Sequence, residues 1–319
     1  MITNEQSSSL KDLSVSNDMP LVSVLIKNYN YELYLKQAID SVLSQTYQNI
    51  ETIVIDDGST DTSRDIIDSY GDQIIKVYKE NGGAASVINA GFSASKGEII
   101  CILDSDDFYL PEKIEEVVKV FKSSDEFGWC FHDLRWVNEN AELLPEISTQ
   151  RTASECDIRN RFKSGKLPPP LPASSALCFR RSLFEKIYPL PVAKPVKSSD
   201  HYIKYMAAAL SKGYFPGKVL AYHRLHGNNA ATQRNDRSHL LARKQIYTGI
   251  WVKQEFPNLR KFANKLMGVG IALNIKAGNK DMENNKAIRE YLSSCSIWDR
   301  FQVNSIGIAY YIKNKIQGR

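Results

Sequence analysis

Residues 22–59 read VSVLIKNYNYELYLKQAIDSVLSQTYQNIETIVIDDGS. Two short apolar runs, 22–26 and 52–55, bracket a stretch with Leu35, Ala38, Ile39, Val42 and Leu43 at i, i+3, i+4, i+7 and i+8. That spacing is one face of a helix, and the runs are strand-like. The alternation continues. Residues 74–78 and 99–103 are strand-like, and the Ala-rich stretch 84–95, closed by Gly97, is helix-compatible. Pro111 opens another helix, with Ile114, Val117, Val118 and Phe121 on one stripe. Strands alternating with helices predict an α/β fold with a mostly parallel central sheet flanked by helices. Its ligand crevice belongs beyond the C-terminal strand ends.

Three polar clusters fall at that edge: Lys27-Asn28-Tyr29-Asn30, Asp56-Asp57-Gly58-Ser59 and Asp104-Ser105-Asp106-Asp107. Asp104 and Asp106, two residues apart at a strand end, can converge on one hard cation, Mn²⁺ or Mg²⁺, which would bridge a diphosphate. The same four residues are also good turn chemistry. Asp106 is the better direct ligand; Asp104 could instead bind ribose. Asp56 or Asp57 could accept from a base imide or a ribose hydroxyl, while Ser59 or Asp61 caps a helix near Thr62. Tyr29 could stack on a nucleobase or simply pack. Asn81-Gly82-Gly83 precedes the Ala-rich helix, where close backbone approach and a helix N-terminus favour an anion; an ordinary turn is the alternative. Asp200 opens a helix striped by Ile203, Met206, Ala207 and Leu210, as a general base or as an N-cap. His223 and His226 follow the last strand, 219–222, and a histidine there can ligate a metal or meet a phosphate.

The second half is plainer. The 145–172 stretch, with Pro168, Pro169, Pro170 and Pro172, reads as a connector; 176–179 is strand-like, 181–187 helical, and everything from about 236 onward helical. The formal net charge is +5, too mild to imply nucleic acid. From Arg234 to Arg319, however, basic residues outnumber acidic ones by well over two to one. That excess fits either contact with a membrane surface or a solvated helical face. None of the five cysteines sits in a CxxC pair; Cys101 and Cys130 lie in apolar runs and read as buried thiols, which predicts a reducing compartment. The first twenty residues are polar, with no signal-peptide pattern, and no run approaches the length of a spanning helix. The expectation is a cytoplasmic protein that visits the inner membrane face rather than crossing it. The oligomeric state is not legible.

The stretches 22–61, VSVLIKNYNYELYLKQAIDSVLSQTYQNIETIVIDDGST with the Asp61 that follows, and 80–111, ENGGAASVINAGFSASKGEIICILDSDDFYLP, closely resemble the donor half of glycosyltransferase family 2. Those are inverting, sugar-nucleotide-dependent enzymes of the GT-A fold. SALCFRRSLFEKI, SSDHYIKYMAAALSKG and YHRLHGNN resemble later family elements; residues 235–319 match nothing in it. The resemblance implies a lead over 1–20, a GT-A domain over 21–235 (donor half 21–125, acceptor and base half 126–235) and a helical extension over 236–319. It makes Tyr29 and Asp57 uracil contacts, Asp104 and Asp106 the metal motif with His226 near it, and Asp200 the base. Lys27, Asp56, Asn81, Gly82 and Ser105 complete the expected donor nucleotide site. Two departures stand out: Lys27 replaces a small residue, and Ser199 replaces the common Glu before the base. Without the Gln-x-x-Arg-Trp element of processive synthases, the chain resembles a single-addition enzyme. The expected partners are a UDP-sugar and a saccharide or lipid-linked acceptor. A nucleotidyltransferase, or a non-catalytic nucleotide-sugar-binding protein, would suit the same sheet edge.

Overall fold

The computed structural model describes residues 19–145, 150–193, 196, 200–227 and 237–316. Most of the polar lead, the Ser198-Ser199 pair before Asp200, and Asn228-Asn229 lie outside these residues.

The first half runs β1 (Val22–Asn28), α1 (Glu32–Leu43), β2 (Ile50–Asp56), α2 (Ser63–Ser69), β3 (Ile75–Tyr78), α3 (Gly83–Ala94), β4 (Ile99–Asp104), β5 (Phe108–Tyr109) and α4 (Lys113–Ser123). Then come β6 (Phe127–Phe131), β7 (Asp133–Val137), β8 (Ser154–Cys156), α5 (Arg159–Lys163), β9 (Leu177–Arg180), α6 (Arg181–Phe184), α7 (Asp200–Leu210), β10 (Lys212–Phe215) and β11 (Val219–Arg224). Four helices follow: α8 (Arg237–Glu255), α9 (Arg260–Lys276), α10 (Met282–Ser293) and α11 (Ile297–Ile316).

Eight strands form the central sheet in the order β3-β2-β1-β4-β9-β6-β10-β8. β3, β2, β1 and β4 are parallel, and β9 and β8 are the antiparallel members. A small second sheet, β5-β11-β7, lies beside the β4 exit. The runs 24–26, 53–55 and 99–103 of β1, β2 and β4 are apolar without interruption because both faces are covered. Leu25, Ile53, Ile55, Ile100 and Ile102 join the core shared with α3 and α7. Val24, Ile26, Val54, Cys101 and Leu103 join the core under α1 and α4. Cys101 and Cys130 are fully buried, both paired in register with Cys178, and all five thiols are free.

The helices after residue 236 share this core. Trp251, Val252, Phe262, Ala263 and Leu266 pack with Tyr202 and Met206 of α7, while Ile246, Met267, Tyr291 and Val303 form a separate cluster within α8–α11.

The structure is richer in strands than the periodicity predicts. The expected 145–172 connector carries β8 and α5, and the expected 181–187 helix closes at Phe184. The missed strands are short, and apart from Asp133-Leu134-Arg135-Trp136 in β7 they carry no alternation. β10 is broken by Gly213, where a Cβ would fall 2.0 Å from the Trp129 ring; glycine is there to admit that indole. α4 starts at Lys113, with Pro111 in the turn ahead of it.

Candidate active site

Parallel strands β1, β2 and β4 end together, so their exits face one crevice. Each exit has its own electrostatics.

At the β2 exit the carboxylates are held by the protein's own donors. Asp56 is fully buried and accepts from Asn28 Nδ2 (3.1 Å), Ser59 N (3.0 Å) and Arg64 Nε (2.9 Å). Burial would raise its pKa, but those hydrogen bonds, Ser59 first, hold it below the usual carboxylate value. Asp57 accepts from Lys79 Nζ (2.6 Å), Gly82 N (2.9 Å) and Gly83 N (2.8 Å). The anion that the α3 N-terminus attracts is therefore the protein's own Asp57. Gly83 sits at φ +79° and Gly58 at +79°, the left-handed region where glycine carries no Cβ penalty. Neither Ser59 nor Asp61 is the N-cap of α2, which is Thr62; Asp61 accepts instead from the first amides of two helices, Ser63 N (3.0 Å) of α2 and Glu32 N (3.0 Å) of α1. Tyr29 stands half exposed above the crevice. An open groove of about 490 Å³, lined by Gly58, Arg64, Tyr78, Lys79, Glu80 and Asn81, flanks this exit.

The β4 exit is crowded with negative charge. Asp104 meets Lys27 Nζ at 2.5 Å and accepts from the Ser174 hydroxyl. Asp106 meets His226 Nε2 at 3.1 Å. Asp107 accepts from Ser175 Oγ (2.5 Å) and Arg224 N (2.9 Å), with His223 Nδ1 at 3.1 Å. Burial would lower the His223 imidazole, yet Asp107, Asp106 and Asp104 raise it to about 9, so it is cationic at neutral pH. Burial likewise opposes the charge on Lys27, but Asp104, Asp200 and Asp106 raise its pKa. Arg224 is buried across the back of the turn, donating to Asp106 O (2.9 Å) and Glu139 O (2.6 Å) beneath the Tyr34 ring.

Ser105 is 0% exposed, with a hydroxyl that meets no polar partner. Its side chain presents no surface to the crevice. Asp56 is likewise buried, and its three hydrogen bonds hold the loop.

Asp200, at the start of α7, stands across from this turn, near enough for its charge to act on Lys27. Lys204 Nζ lies 3.2 Å from it, Lys244 Nζ 3.5 Å and His201 Nδ1 3.6 Å. Burial would raise the Asp200 carboxyl, but Lys244, then Lys204 and His201, hold it well below the usual range. Lys204 also donates to Pro172 O (3.1 Å), which ties the Pro-rich connector to the site.

The fit to a divalent cation follows from the donor set. Among the described residues no group of three or more His, Cys, Asp or Glu is arranged as a cage. A small hard cation takes one or two carboxylates and completes its shell with substrate phosphates. Asp106 and Asp104, with His226 beside them, match that arrangement, and their mutual repulsion favours a cation.

The model of glycosyl transferase family 2 matches residues 23–188, more than half of the chain and all three strand exits. The chain belongs to glycosyltransferase family 2. An uncharacterized glycosyltransferase of Nostoc sp. is 38% identical over 212 residues, 65% of this chain and 66% of that one. Across the curated relatives the matched share of their own length runs from about a fifth to two thirds. Among solved structures, S. aureus TarS 1–349 in complex with UDP-GlcNAc superposes with a TM-score of 0.64 at 16% identity, covering 94% of this chain and 92% of that 1–349 chain. Pyrobaculum calidifontis mannosyltransferase PcManGT, in complex with GDP-Man and Mn²⁺, gives 0.54 at 17% identity, covering 95% and 89%. At such identities the likeness is one of fold, and the GT-A fold is the one they share.

The family 2 site contains residues that sequence reasoning passed over. Asp107, Ser174, Ser175 and Arg224 build the floor of the β4 turn, and Lys204 and Lys244 flank Asp200. Asp107 and Arg224 stood inside motifs already singled out. Lys244 left no signal, because it sits in the helical pattern of α8 and reaches the site only through the fold.

Proposed function

We propose that the chain transfers one sugar, with inversion, from a UDP-linked donor to a hydroxyl of a saccharide or lipid-linked acceptor. The observation that carries this reading is the arrangement at the β4 exit: Asp104 and Asp106 on one side, Asp200 across from them, and Lys27 within the field of all three. Tyr29 and the groove beside Asp57 would seat the uracil and ribose, with Asn81 and the Gly82 backbone along its wall. Asp57 would take the base imide with the lone pair its three intramolecular donors leave free. Mn²⁺ or Mg²⁺, held by Asp106 and Asp104 with His226 in support, would neutralise the diphosphate as it leaves. Asp200 would orient the acceptor hydroxyl and take its proton as oxygen attacks the anomeric carbon. The lysines keep Asp200 anionic, and therefore ready to accept, across the ordinary pH range. Lys27 would carry positive charge toward the donor phosphates.

TarS bound to UDP-GlcNAc supports a uridine donor, while PcManGT bound to GDP-Man sets the competing base. Thermal shift with Mn²⁺ and a panel of UDP- and GDP-sugars decides, since a bound ligand raises stability by mass action. A shift with UDP-sugars and release of UDP on turnover are expected. Selective stabilisation by GDP-sugars would overturn the base assignment, and release of pyrophosphate would overturn glycosyl transfer itself.

A further inference from the structure

Helix α11 is apolar on two opposite faces. Its inner face, Val303, Ile306 and Gly307, closes on Gly268 and Ile271 of α9. Its outer face carries Ile297, Trp298, Phe301, Ile308, Ile312 and Ile316, all exposed, with Ile297 and Trp298 at 82% and Phe301 at 68%. At about 100° per residue these six fall within an arc of about 100°, opposite the buried one. Together they make a stripe, interrupted by Ser305 and Lys315, along a helix about 30 Å long. Isolated exposed apolar residues are ordinary; a stripe of six that includes a tryptophan marks an interaction surface.

The charge around the stripe names its partner. Residues 234–319 hold 16 Lys and Arg against 6 Asp and Glu, while the rest of the chain is net acidic. Lys313 and Lys315 stand exposed at one end of α11. Lys265 of α9 lies close enough to Lys313 for the two charges to repel. Arg260 stands 3.6 Å from Asp299 in the first turn of α11. Pairing two copies through this face would press two strongly basic surfaces together, against Coulomb repulsion. An anionic bilayer satisfies both features at once: the stripe enters the acyl boundary, tryptophan settles at headgroup level, and the lysines meet lipid phosphates. Among the described residues no helix is long and apolar enough to cross a membrane, so the contact is one of lying on the surface.

We propose that the outer face of α11 is a docking surface for anionic membranes, with Trp298, Phe301, Ile308 and Ile312 inserted and Lys313 and Lys315 on the headgroups. The proposal is independent of the donor chemistry. It is tested by co-sedimentation of the full chain with vesicles of phosphatidylcholine alone and of phosphatidylcholine mixed with phosphatidylglycerol. Binding to the mixed vesicles, weakened by salt, is expected. A Trp298→Ser, Phe301→Ser variant should partition at least about tenfold more weakly, because inserted apolar area and lipid attraction act together. Lys313→Glu with Lys315→Glu should remove the preference for phosphatidylglycerol while leaving the stripe intact. Both variants should keep the wild-type melting temperature, since the altered side chains touch solvent. Failure of the wild type to bind either vesicle, or unchanged binding by the Trp298, Phe301 variant, would overturn the proposal. So would a wild-type dimer that Phe301→Ser converts to a monomer, which would assign the face to a second copy of the chain.

Discussion

Strands β2 and β4 flank β1 and both end in paired aspartates at the same edge, and the protein treats them differently. Asp56 and Asp57 are met by a full set of donors, from Asn28, Ser59, Arg64, Lys79, Gly82 and Gly83. Asp104, Asp106 and Asp107 are packed within one turn; Lys27, Ser174, Ser175, Arg224, His223 and His226 meet them, yet burial and then Asp107 and Asp104 still raise the Asp106 carboxyl. A carboxylate met by several of the protein's own donors stabilises a loop. Carboxylates packed against one another keep a repulsion that a ligand can relieve. The same residue type at the same sheet edge thus serves structure at one strand end and, on the proposed reading, chemistry at the other.

The largest test of that contrast is Asp106→Asn. Loss of a charge that helps hold a cation against a leaving diphosphate is worth several kcal/mol of transition-state stabilisation, a fall in transfer rate of at least about a thousandfold. Melting should stay the same or rise, because the substitution relieves repulsion with Asp107. Wild-type turnover by this variant, measured with Mn²⁺ present, would reduce the turn to ordinary loop chemistry.

Asp200 is next in size. Asn keeps most hydrogen bonds at the head of α7 but cannot take a proton, so Asp200→Asn should lose at least about a hundredfold in kcat with donor binding retained. Turnover within a few-fold of wild type would leave Asp200 an ion-pair anchor for Lys204 and Lys244, and His226 would become the base to test.

How much of this could be read beforehand divides along the same line. The βαβ half was legible because β1, β2 and β4 are buried on both faces and α1, α3 and α4 on one, so periodicity and burial agree there; the edge strand β3 is half exposed. The aspartates were legible as residues but not as roles. Asp57 and Asp106 look alike in sequence, and only the fold shows that Gly82 and Gly83 turn their amides to one while His226 reaches the other from 120 residues away. β6, β8 and β10 carried no alternation to find, and Gly213 reads as a break until Trp129 is seen to occupy its space. Lys244 is the extreme case, an unremarked helical lysine made part of the site by the packing of α8 against α7.

Lys244→Met gives a smaller and more diagnostic effect. Burial pushes the Asp200 carboxyl up, and Lys244 leads the groups that pull it down. Removing that lysine raises the pKa, so the acid limb of the kcat/KM profile should move to higher pH while the rate at alkaline pH changes little. The stability linkage has the matching sign. A depressed folded-state pKa adds stability above the unfolded value that is lost as pH falls through the folded one, so the variant should gain less from neutral pH than the wild type does. An unshifted acid limb would mean that Lys244 does not act on Asp200 in solution.

Asp57→Ala carries the smallest expected effect on turnover and bears on the other half of the contrast. It removes the carboxylate acceptor for Lys79 and for two part-buried backbone N–H groups at the head of α3. Hydrogen bonds to a charged group are worth about 1.5–3 kcal/mol each, less where water can replace them, so melting should fall. UDP affinity should weaken as well, through loss of the base contact and loosening of the 79–83 loop. With saturating donor, kcat should stay within a few-fold of wild type, because no group at the β4 exit has changed. Calorimetry with UDP, a thermal melt and a saturated rate separate these effects in one variant. If instead melting and UDP affinity hold while the saturated rate collapses, Asp57 belongs with the reacting carboxylates, and the division between the two strand ends fails.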